Sequence, residues 1–196
     1  MENAIDYRDW KQEIIDGKIY YMAPPSAKHN RIMRNLDFAF MKYFQHNKKK
    51  CASFMELGVY LDKNNPNQYF VPDISIICNL NIEEVEELDT FTGIPTLIVE
   101  ILSSNADNDK VRKFKKYAKF GVKEYWIIDP KSNNIDQFIL QGSMYVPINT
   151  YRLLDDKEYD KLSPIEKEEY QTSITPTMFS DLSIDLTSIF GFYYGN

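Results

Sequence analysis

The sequence predicts an α/β protein, with an α+β mixed sheet flanked by helices, and three observations carry that expectation. Short apolar runs bounded by turn residues recur along the chain, and two longer segments have helical periodicity. One helical segment lies between the apolar strands "PTLIVEIL" (95–102) and "KEYWIID" (123–129), which predicts a parallel crossover unit. More strand patterns follow toward the C-terminus.

Each element has its own signal. "WKQEIIDGKIYYMAP" (10–24) predicts a short helix holding Glu13, a turn at Asp16–Gly17 and a strand over 18–22. Pro24 and Pro25 stop that strand. In residues 26–48, apolar Ile32, Met33, Leu36, Phe40 and Phe44 recur at helical spacing, with Ser26 as N-cap. "FMELGVYL" (54–61) and "YFVPDISIIC" (69–78) each predict one strand. A helix over 109–120 ends at Gly121, and Pro130 stops the strand over 123–129. "NIDQFILQGSMYVPI" (134–148) predicts a hairpin at the sheet's edge. "SPIEKEEY" (163–170) carries a capping box, with Ser163 as the cap, Pro164 first in the helix and Glu166 three after the cap. The alternating "FSDLSIDLTSIF" (179–190) closes the core. The expectation is one domain over 1–196, with a charged insertion at about 155–171.

Composition narrows the class. Of 196 residues, 43% are hydrophobic and 14% aromatic, enough to bury a core, so disorder is not expected. No apolar run approaches the ~20 residues of a membrane span, and the polar, acidic N-terminus has no leader pattern. A cytoplasmic protein without a membrane partner is therefore expected, and Cys51 and Cys78 fit a reduced compartment. The net charge of −6 argues against a phosphate-rich partner. Locally the balance reverses: Lys110, Arg112, Lys113, Lys115, Lys116, Lys119 and Lys123 follow one another with no acid between. Acids cluster at 81–89 and 155–170.

Two strands each carry a lone carboxylate, Asp73 in "VPDISII" and Glu100 in "LIVEIL". Burying an unpaired carboxylate is costly, so each needs compensation. If the two strands are neighbours, the acids converge, repel and call for a cation between them. Carboxylates completed by water are the ligands Mg²⁺ prefers. The competing reading is an acid neutralised by backbone amides or by Lys or Arg, and spacing alone leaves both open. On the following helix, Asp109, Lys113 and Tyr117 share one stripe beside the apolar Val111, Phe114 and Ala118. Lys113 can lean toward the sheet, and Lys110 is the reserve. Asp109 reads as a cap or as a partner of Lys113. Tyr117, Tyr125 and Trp126 read as core or interface aromatics.

These stretches together resemble the Uma-two family of restriction-endonuclease-like proteins, a branch of the PD-(D/E)XK nuclease superfamily. The resemblance rests on "EIIDGKIYYMAPPSAKHNRI", "VPDISII", "IPTLIVEILSSNADNDKVRKFKKYAKFGVKEYWIIDP" and "FSDLSIDLTSIF". It implies a restriction-endonuclease-like core of helix, β-meander, crossover helix and strand, with extra C-terminal strands here. It also implies Mg²⁺-assisted hydrolysis of DNA, with Mn²⁺ as a substitute and no organic cofactor. Asp73, Glu100 and the backbone carbonyl of Ile101 would hold the metal, and Asp73, Glu100 and Lys113 would be catalytic. Leu102 stands where the superfamily lysine usually falls, and Lys113 replaces it from the helix. Glu13, His29, Asp109 and Lys110 are auxiliary candidates. Lys110, Arg112 and Lys116 are candidate contacts to DNA phosphates. A homodimer is expected, because cutting both strands suits two subunits about a two-fold axis. The rival expectation is a catalytically weak nuclease-fold binding module, or a nuclease for RNA or branched DNA.

Overall fold

Asp16 and Gly17 both adopt positive φ, 53° and 75°. Two such residues in succession make the tight turn whose twist suits a β-hairpin. The turn therefore joins two strands, β1 (Gln12–Ile15) and β2 (Lys18–Tyr21), paired antiparallel with Ile15 opposite Lys18. This corrects the short helix expected for that segment and places Glu13 on a strand. The structure is a computed structural model that describes residues 11–22, 24–80, 89–103 and 107–191, without the side chains of 107–111. The acidic stretch at 81–88 lies outside the described residues.

Ser26 caps helix α1 (Ala27–His46), its side chain accepting the amide of His29 at 3.2 Å. The next two strand patterns each split in the same place. Residues 54–61 divide into β3 (Cys51–Met55) and β4 (Gly58–Tyr60) around Glu56, which takes φ 55°. Residues 69–78 divide into β5 (Gln68–Phe70) and β6 (Ile74–Cys78) around Val71, Pro72 and Asp73. Proline cannot donate to a ladder, so the break falls there. The amide of Glu56 donates to the carbonyl of Asp73 at 3.1 Å, so the two breaks face each other. β3 and β6 enter one sheet, while β4 and β5 enter another.

After β7 (Thr90–Thr92) come β8 (Leu97–Ile101), the crossover helix α2 (Asp107–Phe120) and β9 (Glu124–Asp129). β8 and β9 are parallel, with Glu100 beside Ile127. The predicted hairpin is β10 (Asn134–Gln141) and β11 (Met144–Arg152), and β11 is the edge. Among the described residues the six-stranded sheet runs β11-β10-β9-β8-β6-β3, and a five-stranded one runs β2-β1-β5-β4-β7.

The charged segment forms α3 (Asp156–Asp160) and α4 (Pro164–Glu169), both with capping boxes and without buried residues. The tail forms β12 (Ser173–Ile174), β13 (Ile184–Asp185) and α5 (Leu186–Phe190). Leu186, Ile189 and Phe190 are buried against the α1 side of the core. No helix among the described residues is long and apolar enough to cross a membrane.

Strand alternation divides the core between the two faces of the large sheet. Leu97, Val99, Ile101, Trp126 and Ile128 pack with α1, whereas Ile98, Tyr125 and Ile127 pack with Tyr117 and Ala118 of α2. Cys51 and Cys78 are directly opposed in the β3–β6 ladder and form a disulfide. This corrects the reading of them as reduced thiols: the antiparallel register, invisible in a 27-residue sequence separation, brings them together.

Candidate active site

The antiparallel β6–β8 register pairs Ile74 with Val99. Carried one position further, it sets Asp73 opposite Glu100, on the face that α2 covers. Asp73 stands where the chain passes from β5 in one sheet to β6 in the other, and Glu100 is next to last in β8. The amide of Ile101 donates to Asp73 Oδ2 at 2.7 Å. His29, in the first turn of α1, places Nε2 3.3 Å from Asp73 Oδ1. From the crossover helix, Lys113 Nζ lies 3.1 Å from both oxygens of Glu100 and 2.8 Å from Glu13 Oε1. Tyr117, one helical turn on, donates its hydroxyl to Glu100 Oε1 at 2.7 Å. Glu13 Oε1 also accepts the amide of Val71 at 2.8 Å. Glu13, His29, Asp73 and Lys113 are all buried.

Burial and charge set the protonation states. Burial pushes the Glu100 carboxyl up to about 7, the Lys113 ammonium opposing it and the charges of Asp73 and Glu13 adding to it. Burial also pulls Asp73 upward, but the hydrogen bond and charge of His29, the Ile101 amide and Lys113 together hold it below its ordinary value. Burial pulls His29 down, yet its hydrogen bond to Asp73 and that carboxylate's charge outweigh burial and raise it. Burial likewise pulls Lys113 down, and the charges of Glu100 and Glu13 overcome it, so the amine stays protonated.

Among the described residues, no three His, Cys, Asp or Glu side chains converge to hold a metal ion. Two opposed carboxylates completed by water are ligands of the kind Mg²⁺ prefers, and each is already engaged here, Asp73 by the Ile101 amide and Glu100 by Lys113. The imidazole of His29, its Nε2 3.3 Å from Asp73 Oδ1, already faces that acid.

Other candidates fall elsewhere. α2 begins at Asp107, so Asp109 is inside the helix rather than its cap, and the side chains of Asp109 and Lys110 lie outside the described residues. Lys116 is paired with Asp16 at the β1–β2 turn. Arg112 lies 4.1 Å over the ring of Tyr20. Leu102 packs on the α2 side of the core. The sequence pattern predicts a core or interface aromatic at Tyr117. It is core, against Phe70 and Tyr125, but its hydroxyl also reaches the acid. The signal was its place four residues after Lys113 on the same stripe.

A mixed sheet with a parallel β8–α2–β9 crossover and α1 packed on its other face is a restriction-endonuclease-like core. The chain belongs to the Uma2 family, described as "Putative restriction endonuclease", which residues 1–172 match. A similar solved structure is that of a protein from Anabaena variabilis ATCC 29413 described as a "putative nuclease belonging to DUF820". It aligns with a TM-score of 0.68 at 21% identity, covering 95% of this chain and 93% of that one. At that identity the likeness speaks for the fold alone. No curated protein matches the chain.

Proposed function

We propose that the protein is a divalent-metal-dependent endonuclease that hydrolyses DNA phosphodiester bonds as a homodimer. The observation that carries the reading is the opposition of Asp73 and Glu100 with the Lys113 ammonium 3.1 Å from Glu100. Asp73, Glu100 and the Ile101 carbonyl would hold Mg²⁺ or Mn²⁺. Such an ion supplies polarisation of a phosphate oxygen and a bound water of lowered pKa. Lys113, kept protonated by its two acids, serves as an electrostatic partner for charge developing on the phosphate and not as a base. Tyr117 fixes the rotamer of Glu100 through its hydrogen bond. Lys110, Arg112 and Lys116 are proposed to meet flanking phosphates, the last two in exchange for Tyr20 and Asp16.

Two observations favour a second reading. Lys113 already neutralises much of the acidic cluster, and Leu102 occupies the usual lysine position, as in a binding module that does not cut. A plasmid-nicking assay with Mg²⁺ or Mn²⁺ separates the two. Cleavage by wild type, lost in Asp73→Ala and Glu100→Ala, is expected. Undiminished cutting by those variants rejects the site, and DNA binding without hydrolysis under any divalent ion selects the module. A panel of duplex, branched DNA and RNA substrates then fixes the substrate class.

A further inference from the structure

The three acids around Lys113 are not equivalent. Asp73 and Glu100 belong to neighbouring strands of the six-stranded sheet. Glu13 comes from β1 of the other sheet, and at 2% exposure it is the most deeply buried of the three. Its Oε1 is engaged twice, by the Val71 amide and by Lys113 Nζ, each at 2.8 Å. We propose that Glu13 is a positioning residue: it holds the Lys113 ammonium against Glu100 and fixes the bend that presents Asp73, without binding metal or substrate. What Lys113 then does for the reaction rests on the proposed function, whereas the holding itself stands on the geometry alone.

A lysine stem is flexible, and ordering it costs up to about 2 kcal/mol of side-chain entropy. Glu100 alone attracts the ammonium but lets it swing around the carboxylate. A second anion from a different sheet gives a second fixed point. Glu13 is itself held, because β1 pairs with β2 on one side and β5 on the other. Its cross-strand partner Tyr20 stacks with Arg112, the helix residue beside Lys113. The hairpin therefore grips two consecutive residues of α2 with two residues that share one face. The Val71 amide is separated from Asp73 only by Pro72, whose ring fixes φ, so a shift at Val71 passes to Asp73. A metal at Glu13 Oε1 would have to displace the ammonium and the amide together, which is why the assignment is positioning rather than ligation.

The test is Glu13→Gln, which keeps the size and a carbonyl for the Val71 amide but removes the charge. Three quantities are measured on the full chain: acetylation of Lys113 by acetic anhydride, read by peptide mass spectrometry; Mn²⁺ uptake by calorimetry; and steady-state plasmid cleavage. Lys113 should be protected in wild type and labelled severalfold faster in the variant, with exposed Lys123 unchanged. Mn²⁺ uptake should persist. Turnover should fall about 10²-fold, the cost of a small misplacement, with KM for DNA unchanged. Unaltered protection of Lys113, or abolished Mn²⁺ uptake, overturns the proposal. If wild type cuts no DNA, the nuclease reading fails while the labelling still decides the role of Glu13. Should Glu13→Gln not fold, Glu13→Asp keeps the charge and withdraws it by one methylene. Faster labelling of Lys113 is again expected, and wild-type labelling again overturns it.

Discussion

Lys113 and Glu100 lie thirteen residues apart in sequence, yet the ammonium nitrogen sits 3.1 Å from both carboxylate oxygens. The strand ends, α2 returns antiparallel to it over its own face, and the second turn of the helix delivers the cation. A buried carboxylate in a strand needs such a partner. The same arrangement makes the pocket testable through charge as well as through catalysis.

Removing the cation should be severe. Lys113→Met leaves Glu13 and Glu100 buried without it, at a cost of about 3–5 kcal/mol. Glu100 also loses the charge that opposes its protonation, so its carboxyl rises further and the variant gains relief in acid. Urea denaturation should show a larger loss at pH 8 than at pH 5. An equal loss at both would mean that the cost is lost packing of the lysine stem.

Glu100 should titrate near neutrality. Its folded value, about 7, stands above the ordinary 4.5, so its contribution to stability is full below 4.5 and is lost as pH rises toward 7. A metal needs the ionised form, so Mn²⁺ uptake should strengthen as pH rises through that window and level off above it. Carboxyl-carbon NMR, with the signal assigned by its absence in Glu100→Gln, reads the midpoint directly. An ordinary midpoint removes the burial argument.

Asp37, on the buried face of α1, provides a check away from the site. Burial raises its carboxyl above the ordinary value. The raised value means that stability from Asp37 is present in acid and lost as pH rises through the folded value. Asp37→Asn keeps the neutral shape, so its melting temperature should exceed wild type at pH 7 and match it at pH 3. A decrease at pH 7 would contradict the assignment.

The disulfide should contribute on the order of 3–4 kcal/mol, from a loop set by the 27-residue separation. Denaturation with and without reductant measures it, and Cys51→Ser/Cys78→Ser should be insensitive to reductant. Two free thiols in the folded protein under oxidising conditions would refute the pairing.

Asp16→Asn should strengthen DNA binding. The pair with Lys116 is exposed, and asparagine suits the positive φ of the turn, so the fold should tolerate the change. A freed lysine should steepen the slope of log affinity against log salt by about one. An unchanged slope would place Lys116 outside the DNA surface.

Much of the fold was legible because its signals are local. Capping residues, prolines, the helical period of residues 26–48 and the apolar strands each act within a few residues. The errors came where a local signal had two outcomes. Asp16–Gly17 announced a turn, but whether a helix or a strand preceded it depended on pairing with β5. Residues 54–61 and 69–78 looked continuous because nothing local says that a strand changes sheets.

The candidate site divides the same way. Asp73, Glu100 and Lys113 could be named from the sequence. Yet "KEYWIID" also sets an acid, Glu124, beside an apolar run, and its carboxylate is fully buried on neutral donors: Trp126 at 2.8 Å, Gln137 at 2.7 Å and the Thr177 amide at 2.8 Å. By pattern Glu124 and Glu100 are alike. By partner they differ, since only Glu100 meets an ammonium and a second acid.

The sequence by itself determined the long helix, the crossover and the residues able to carry charge in an apolar setting, because periodicity, caps and breakers work at short range. Only the tertiary structure decided that Asp73 opposes Glu100, that Glu13 and His29 come from distant elements to meet them, and that Cys51 joins Cys78. Those relations depend on strand register and on which sheet each strand enters, and register is settled by burying whole faces at once.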